Sequence, residues 1–204
     1  MTNELTLSAL ISSHICHDLI SPIGAINNGL ELFAITNNAS GEEIGLISAS
    51  AESASDSLRY MRIAFGAASK TEMMMSAREI ANITSAHIGT PRLSVEWIAD
   101  EREMSRSSAK LVLLMAQTTA AAAPLGGALV VQNNNSGGFP YEIAITGTKI
   151  AFTASAAQAL KGAADLEELG PRYASFALLA LVAQASGYNV DWKMEGNAGR
   201  LTLA

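Results

Sequence analysis

A histidine followed at once by an aspartate, with a serine and a proline close behind, is the most chemically pointed stretch of this sequence: His17, Asp18, Ser21 and Pro22. A solvated imidazole is largely neutral at neutral pH and is then a competent nucleophile. The apolar spacing around His17 is helical. With His17 at zero and steps of about 100° per residue, Ile15, Leu19, Ile23, Ile26, Leu30 and Phe33 fall between about 160° and 240°. Ser13, Ser21, Gly24 and Asn28 fall within about 40° of His17 itself. The histidine is thus predicted to point away from the core, in a lane of small or polar side chains that a bulky reactive group can approach. Pro22 removes the amide that would bond the carbonyl of Asp18 and bends the helix beside the histidine.

A metal reading of His14, Cys16 and His17 fails on geometry. His14 and His17 lie at i, i+3, but Cys16 points about 100° away, and no usual zinc spacing crowds three ligands into four residues. His14 is expected to be partly buried or hydrogen-bonded, and His87, near a helix end, to be structural.

Two long helices must position this lane. The first runs from near Thr2–Asn3 to about Ile35. The turn residues Asn37, Asn38, Ser40 and Gly41 follow, and Glu42 and Glu43 open a second helix. Its Ile44, Ile47, Ala51, Ala54, Leu58, Met61 and Phe65 alternate by three and four, an a/d seam over three heptads. A hairpin of two such helices cannot hide its apolar stripe alone. An all-α hairpin that pairs with a second copy into a dimeric four-helix bundle is the expected arrangement.

Composition shifts at Gly66–Met75, a linker in pattern, which divides the chain into 1–70 and 71–204. Beyond it the spacing predicts a helix over 76–87, a strand over 92–99 and a helix over 107–123 stopped by Pro124. A strand pair at 128–132 and 141–147, a strand or loop at 148–153, and helices at 155–165 and 171–186 come next. A hairpin of 189–194 and 200–203 closes the chain. Helices beside a mostly antiparallel sheet make an α+β sandwich.

Composition excludes several classes. Thirteen Lys+Arg against nineteen Asp+Glu give a formal charge of −6 in 204 residues, the wrong sign for a nucleic-acid binder. With 49% apolar and 16% charged residues the chain has ample core and is not disordered. One cysteine, Cys16, forbids an intramolecular disulfide and fits a reducing compartment. The N-terminus lacks the basic start and apolar block of a secretory signal. The apolar runs at 111–131 and 173–187 are interrupted or too short to span a membrane. A cytoplasmic protein with no membrane contact is expected.

His17-Asp18-Leu19-Ile20-Ser21-Pro22 resembles the H-box of histidine kinases, which lies on the first helix of their dimerisation and phosphotransfer domain. The continuation IGAINNGLEL and the stretch LRYMRIAFGA (58–67) resemble more specifically the bacterial histidine phosphotransferases of the ChpT type. The resemblance covers essentially the whole chain. The order after residue 75 is similar to the catalytic ATP-binding domain of the kinases, without its chemistry. Gln117 or Thr118 lies nearest the position of their magnesium-holding asparagine. In ITGTKI only Gly147 remains of the Asp-x-Gly-x-Gly box, with Ile145 and Lys149 at the Asp and second Gly positions. Without a carboxylate for the adenine amino group and an oxygen ligand for Mg²⁺, ATP has no anchor and no charge neutralisation.

The resemblance implies a phosphotransferase that takes a phosphoryl group on His17 from the aspartate of one receiver domain and passes it to another. It implies that Asp18 orients the imidazole or accepts its proton, and that Ser21 contacts the phosphoryl group. It implies a receiver-docking face of Ile20, Gly24 and Asn28 with Arg59, Arg62 and Phe65. The partners implied are the receiver domain of a hybrid histidine kinase, the receiver domains of response regulators and a second copy of the chain. No cofactor is expected on this chain, and Mg²⁺ belongs to the receiver. Two other readings stay open: a regulator that docks receivers or kinases without carrying phosphate, and an autophosphorylating kinase with an unusual nucleotide site.

Overall fold

The computed structural model describes residues 3–36, 41–67, 73–100, 102–134 and 137–204. Helix α1 (Asn3–Thr36) runs without interruption through Pro22, and α2 (Gly41–Ala64) packs back along it as a hairpin. The expected turn at 37–40 and residues 68–72 of the expected linker, with the 70/71 boundary, lie outside the described residues.

Then follow β1 (Met74–Ser76), α3 (Ala77–Ile88), β2 (Leu93–Trp97), β3 (Glu103–Ser105), α4 (Arg106–Ala120), β4 (Gly127–Asn133) and β5 (Tyr141–Thr146). A short α5 (Ala154–Leu160), a 3-10 turn (Pro171–Tyr173), α6 (Ala174–Ala185), β6 (Val190–Glu195) and β7 (Ala198–Leu203) complete the chain. Five strands form one sheet in the order β2-β4-β5-β7-β6, with β2 and β4 parallel and every other pair antiparallel. The parallel pair requires a crossover, and α4 supplies it. Leu129, Val131, Ile143, Ile145, Leu201 and Leu203 project from the sheet's inner face and are buried.

Helix α4 is the centre of the molecule. Leu111, Val112, Leu113, Leu114, Met115 and Ala116 are all buried, so it has no solvent face along that stretch. A helix apolar all round needs neighbours on every side. Here the sheet takes one side while α2, α3 and α6 take the others. Ser105 caps its start by accepting from the Ser108 amide. The turn after it uses Gly126 at φ +91°, where a side chain would be strained.

The hairpin is joined to this core. Leu7 is buried in it, and Leu10 and Ile11 pack against it; this end of α1 meets α6 and the 3-10 turn. At the end of α2, Tyr60, Ile63 and Ala64 are buried in the same core, and the Tyr60 hydroxyl donates to the Leu113 carbonyl at 2.5 Å. Side chains of α4 bond carbonyls at and just past the end of α2: Arg106 donates to the Arg62 carbonyl (3.2 Å) and Lys110 to that of Gly66 (2.8 Å).

Several expectations need correction. The seam of α2 is only partly covered in the single chain, as expected of a lone hairpin: Ala54 and Met61 are buried and Ile44 and Leu58 exposed, while the off-seam Tyr60 and Ile63, which the heptad did not mark, are buried as well. The last two turns of α2 pack on α3 and α4, and a two-helix heptad does not encode that second neighbour. The stripe of α1 likewise leaves Ile23, Leu30 and Phe33 about half exposed. The helix expected over 155–165 ends at Leu160, where a turn takes over and Gly162 adopts φ +66°. The helix expected to reach 123 ends at Ala120, and of the strand or loop expected over 148–153 the loop is found. The two-stranded β1–β3 sheet is additional; three-residue strands show no alternation to read.

Helix α1 is long and apolar enough to cross a membrane by length and composition alone. Here it lies against α2 and α6, and His14, His17 and Asp18 interrupt it.

Candidate functional site

His17 projects from the middle of α1 with 85% of its side chain exposed. Ser13, Ser21 and Asn28 are exposed on the same lane, and Gly24 is half-buried. At Gly24 a Cβ would meet nothing within 4 Å, so this part of the lane is open. Pro22 brings no amide to the Asp18 carbonyl, so the ladder is interrupted one turn beyond the histidine.

Asp18 stands between two imidazoles. Its Oδ1 accepts from His17 Nδ1 at 3.1 Å, and its Oδ2 lies 3.6 Å from Nε2 of His14, one turn earlier on the helix. A carboxylate on Nδ1 fixes that nitrogen as the protonated one and leaves the lone pair of Nε2 facing solvent. The exposed nitrogen is therefore the nucleophilic one.

His14 is buried, as expected, and its surroundings come from three elements. The amide nitrogen of Gln117 on α4 lies 2.7 Å from His14 Nε2. The ring of Phe65, just past α2, meets the His14 ring edge-on, with centroids 5.7 Å apart. Burial is the largest influence on His14 and pushes its pKa below the ordinary 6.5; Asp18 opposes this and His17 adds to it. His87 is also held below 6.5, first by burial, with Asp18, His14 and Asp56 acting on it more weakly. Its Nδ1 is 3.1 Å from the Ser57 hydroxyl, and its ring lies against Tyr60. Asp18 thus acts on both His14 and His87.

The other expected residues fall as follows. Ile20 is 69% exposed, an unusual place for an isoleucine. Arg59 is exposed and weakly paired with Asp56 (3.6 Å). Arg62 is exposed on the last turn of α2. Phe65 is half-buried against His14. Sequence reasoning missed the part played by Gln117, whose partner is 103 residues away. The spacing of His14 and Asp18 by four, which puts both on one helix face, was the available signal for their contact.

In the second half of the chain, Gln117 is taken up by His14, and Thr118 is fully buried with its hydroxyl lacking a hydrogen-bond partner among the described residues. Ile145 is buried in the sheet. Among the described residues no group of three or more His, Cys, Asp or Glu is placed to hold a metal ion.

A solved bacterial phosphotransferase is similar over 100% of this chain and 98% of its own, at 29% identity and a TM-score of 0.82. The protein phosphotransferase ChpT of Brucella abortus (strain 2308) is 37% identical over 111 residues, which are 54% of this chain and 53% of the relative; the match spans about half the length of each. The histidine kinase AdeS of Acinetobacter baumannii aligns over 92% of this chain and 95% of its own at 11% identity and a TM-score of 0.48. Residues 77–198, more than half of the chain, match the family described as the histidine phosphotransferase C-terminal domain. The chain belongs to the histidine phosphotransferase family.

Proposed function

We propose that this chain carries a phosphoryl group between the aspartates of receiver domains in a phosphorelay, with His17 as the covalent intermediate. The observation that carries the reading is the exposed His17, whose Nδ1 is engaged by Asp18 while Nε2 is free. The Nε2 lone pair attacks the phosphorus of a receiver's aspartyl phosphate; the N–P bond forms as the bond to the acyl oxygen breaks, and the aspartate leaves as carboxylate. The ring, phosphorylated at Nε2 and protonated at Nδ1, is then cationic, and Asp18 balances that charge. A second receiver's aspartate reverses the step. Any Mg²⁺ needed belongs to the receiver, and this chain supplies no cofactor.

In this reading Ser21, one turn from His17, contacts the phosphoryl group. Ile20, Gly24, Asn28, Arg59, Arg62 and Phe65 form the face on which receivers dock, among them that of a hybrid histidine kinase and those of response regulators. The apolar residues left exposed on the hairpin, Ile23, Leu30, Phe33, Ile44 and Leu58, support pairing of two copies into a four-helix bundle. The division is a phosphotransfer hairpin over 1–70 and an ATPase-like domain over 71–204 that does not bind ATP. The engagement of Gln117 by His14 supports that last point. The protein acts in the cytoplasm, where receivers reside.

The test is incubation with labelled ATP, alone and then with a kinase that phosphorylates its own receiver domain. Acid-labile, alkali-stable label on wild type but not on His17→Ala, and only with the phosphorylated receiver, is the expected result. Label from ATP alone would establish a kinase instead. Binding of phosphorylated receivers without label would establish a docking regulator.

A further inference from the structure

Resting on the reading of His17 as phosphoacceptor, we infer that Gln117 and His14 are positioning residues for the transfer: Gln117 sets the tautomer of His14, and His14 turns the Asp18 carboxylate toward His17. Three contacts join these four side chains, at 2.7 Å from Gln117 to His14, 3.6 Å from His14 to Asp18 and 3.1 Å from Asp18 to His17. The relay of contacts begins in the last turn of α4 and ends at the exposed His17.

The direction of the first contact decides the rest. An amide nitrogen can only donate, so His14 Nε2 accepts, and the proton of this ring sits on Nδ1. Nε2 then has no proton to give Asp18 Oδ2, which lies 3.6 Å away. Two acceptors repel, so His14 gives the carboxylate no bond that competes with His17. Had Nε2 carried a proton, it would draw Asp18 toward itself and weaken its hold on His17 Nδ1. The charged groups acting on His14 are Asp18 and His17 on its own helix and His87 on α3, and Gln117 faces it from α4. Phe65 closes the α2 side with a ring edge, which cannot replace the amide.

The pair is costly as mere packing. Gln117 Oε1 is buried without a hydrogen-bond partner among the described residues, and an unpartnered buried oxygen forfeits its hydration. A leucine of similar volume would fill the site without that loss. What it would not supply is a fixed tautomer on the ring beside Asp18.

The experiment reads the ring nitrogens directly. Full-length protein labelled with ¹⁵N-histidine is compared by long-range ¹H–¹⁵N correlation for wild type, Gln117→Leu, His14→Phe and His14→Gln, and each is assayed for label transfer from a phosphorylated receiver. In wild type, both His14 and His17 are expected to carry their proton on Nδ1. In Gln117→Leu and His14→Phe, His17 is expected to populate both tautomers. Transfer at saturating receiver should slow about tenfold with the half-saturating concentration unchanged, as for a misplaced reacting group. His14→Gln, whose amide NH2 offers Asp18 a competing donor, should slow transfer as well.

A wild-type His14 protonated on Nε2 would overturn the inference, and that reading needs no variant to fold. So would an unchanged His17 tautomer with wild-type transfer in both Gln117→Leu and His14→Phe, or a loss confined to receiver affinity. If wild type takes no label at all, the relay reading fails, while the tautomers still decide this one.

Discussion

Gly29 faces Ile47 so closely across the hairpin that a Cβ on it would lie 2.5 Å from Ile47 Cγ1. The glycine sits in mid-helix, where it weakens α1, and its small size lets α2 come near. Gly29→Ala gains about 1 kcal/mol of helix propensity and meets an overpacking cost of roughly 1–3 kcal/mol. A net loss of up to about 2 kcal/mol in urea unfolding is expected; a net gain would show that Ile47 gives way freely.

Asp18→Asn keeps the shape of the side chain and removes its charge. The amide offers a donor as readily as an acceptor, so the Nδ1 proton of His17 is no longer fixed. Phosphoryl transfer is expected to fall about a hundredfold, the lower end for loss of an acid–base partner. Circular dichroism and unfolding should stay close to wild type, because Asp18 is only partly buried.

Pro22→Ala returns an amide to the Asp18 carbonyl and closes the helix ladder. A proline in a helix interior costs about 3 kcal/mol relative to alanine, part of which the surrounding structure already absorbs. The variant should gain about 1–3 kcal/mol in thermal unfolding while its transfer rate drops. A gain in stability with an unchanged rate would mean that the interrupted ladder is irrelevant to His17.

Leu30 and Phe33 are 50% and 47% exposed in the single chain. If two hairpins bury them against each other, Leu30→Glu with Phe33→Glu sets like charges in the seam. Light scattering should then report a monomer where wild type gives a dimer. Both residues lie far along α1 from the core that holds Leu7, so the α+β part should stay folded.

Acid should weaken the fold through His14 and His87. Both are held below the ordinary 6.5, chiefly by burial. Between their folded values and 6.5 the unfolded chain binds more protons, so stability is whole above about pH 6.5 and is lost as pH falls toward the folded values. Thermal unfolding followed from about pH 8 to about pH 5 should show this slope. It should flatten in a His14→Gln, His87→Gln double variant.

The lane of His17 was legible because helical stepping needs only neighbours in sequence, and an exposed side chain depends on little else. The same stepping misjudged the end of α2. Tyr60 and Ile63 are buried by α3 and α4, and no periodicity within one helix announces a third partner. The pairing of β2 with β4 follows from the helix between them, whereas β1 and β3 are too short to carry a pattern. Gln117 was noticed for what it fails to be at a magnesium position. Its bond to His14 joins residues brought together only by the docking of the hairpin on α4, which local spacing cannot express.

That docking has a thermodynamic consequence. Leu7, Tyr60, Ile63 and Ala64 belong to the same continuous core as Leu113 and the sheet, so the hairpin and the α+β layer are expected to melt as one cooperative unit. A cavity cut beneath the sheet, far from His17, leaves the geometry of the folded molecules alone and lowers how many of them are folded. Damage anywhere in this core is then expected to be felt at His17 as a smaller folded population, with the geometry of each surviving molecule unchanged.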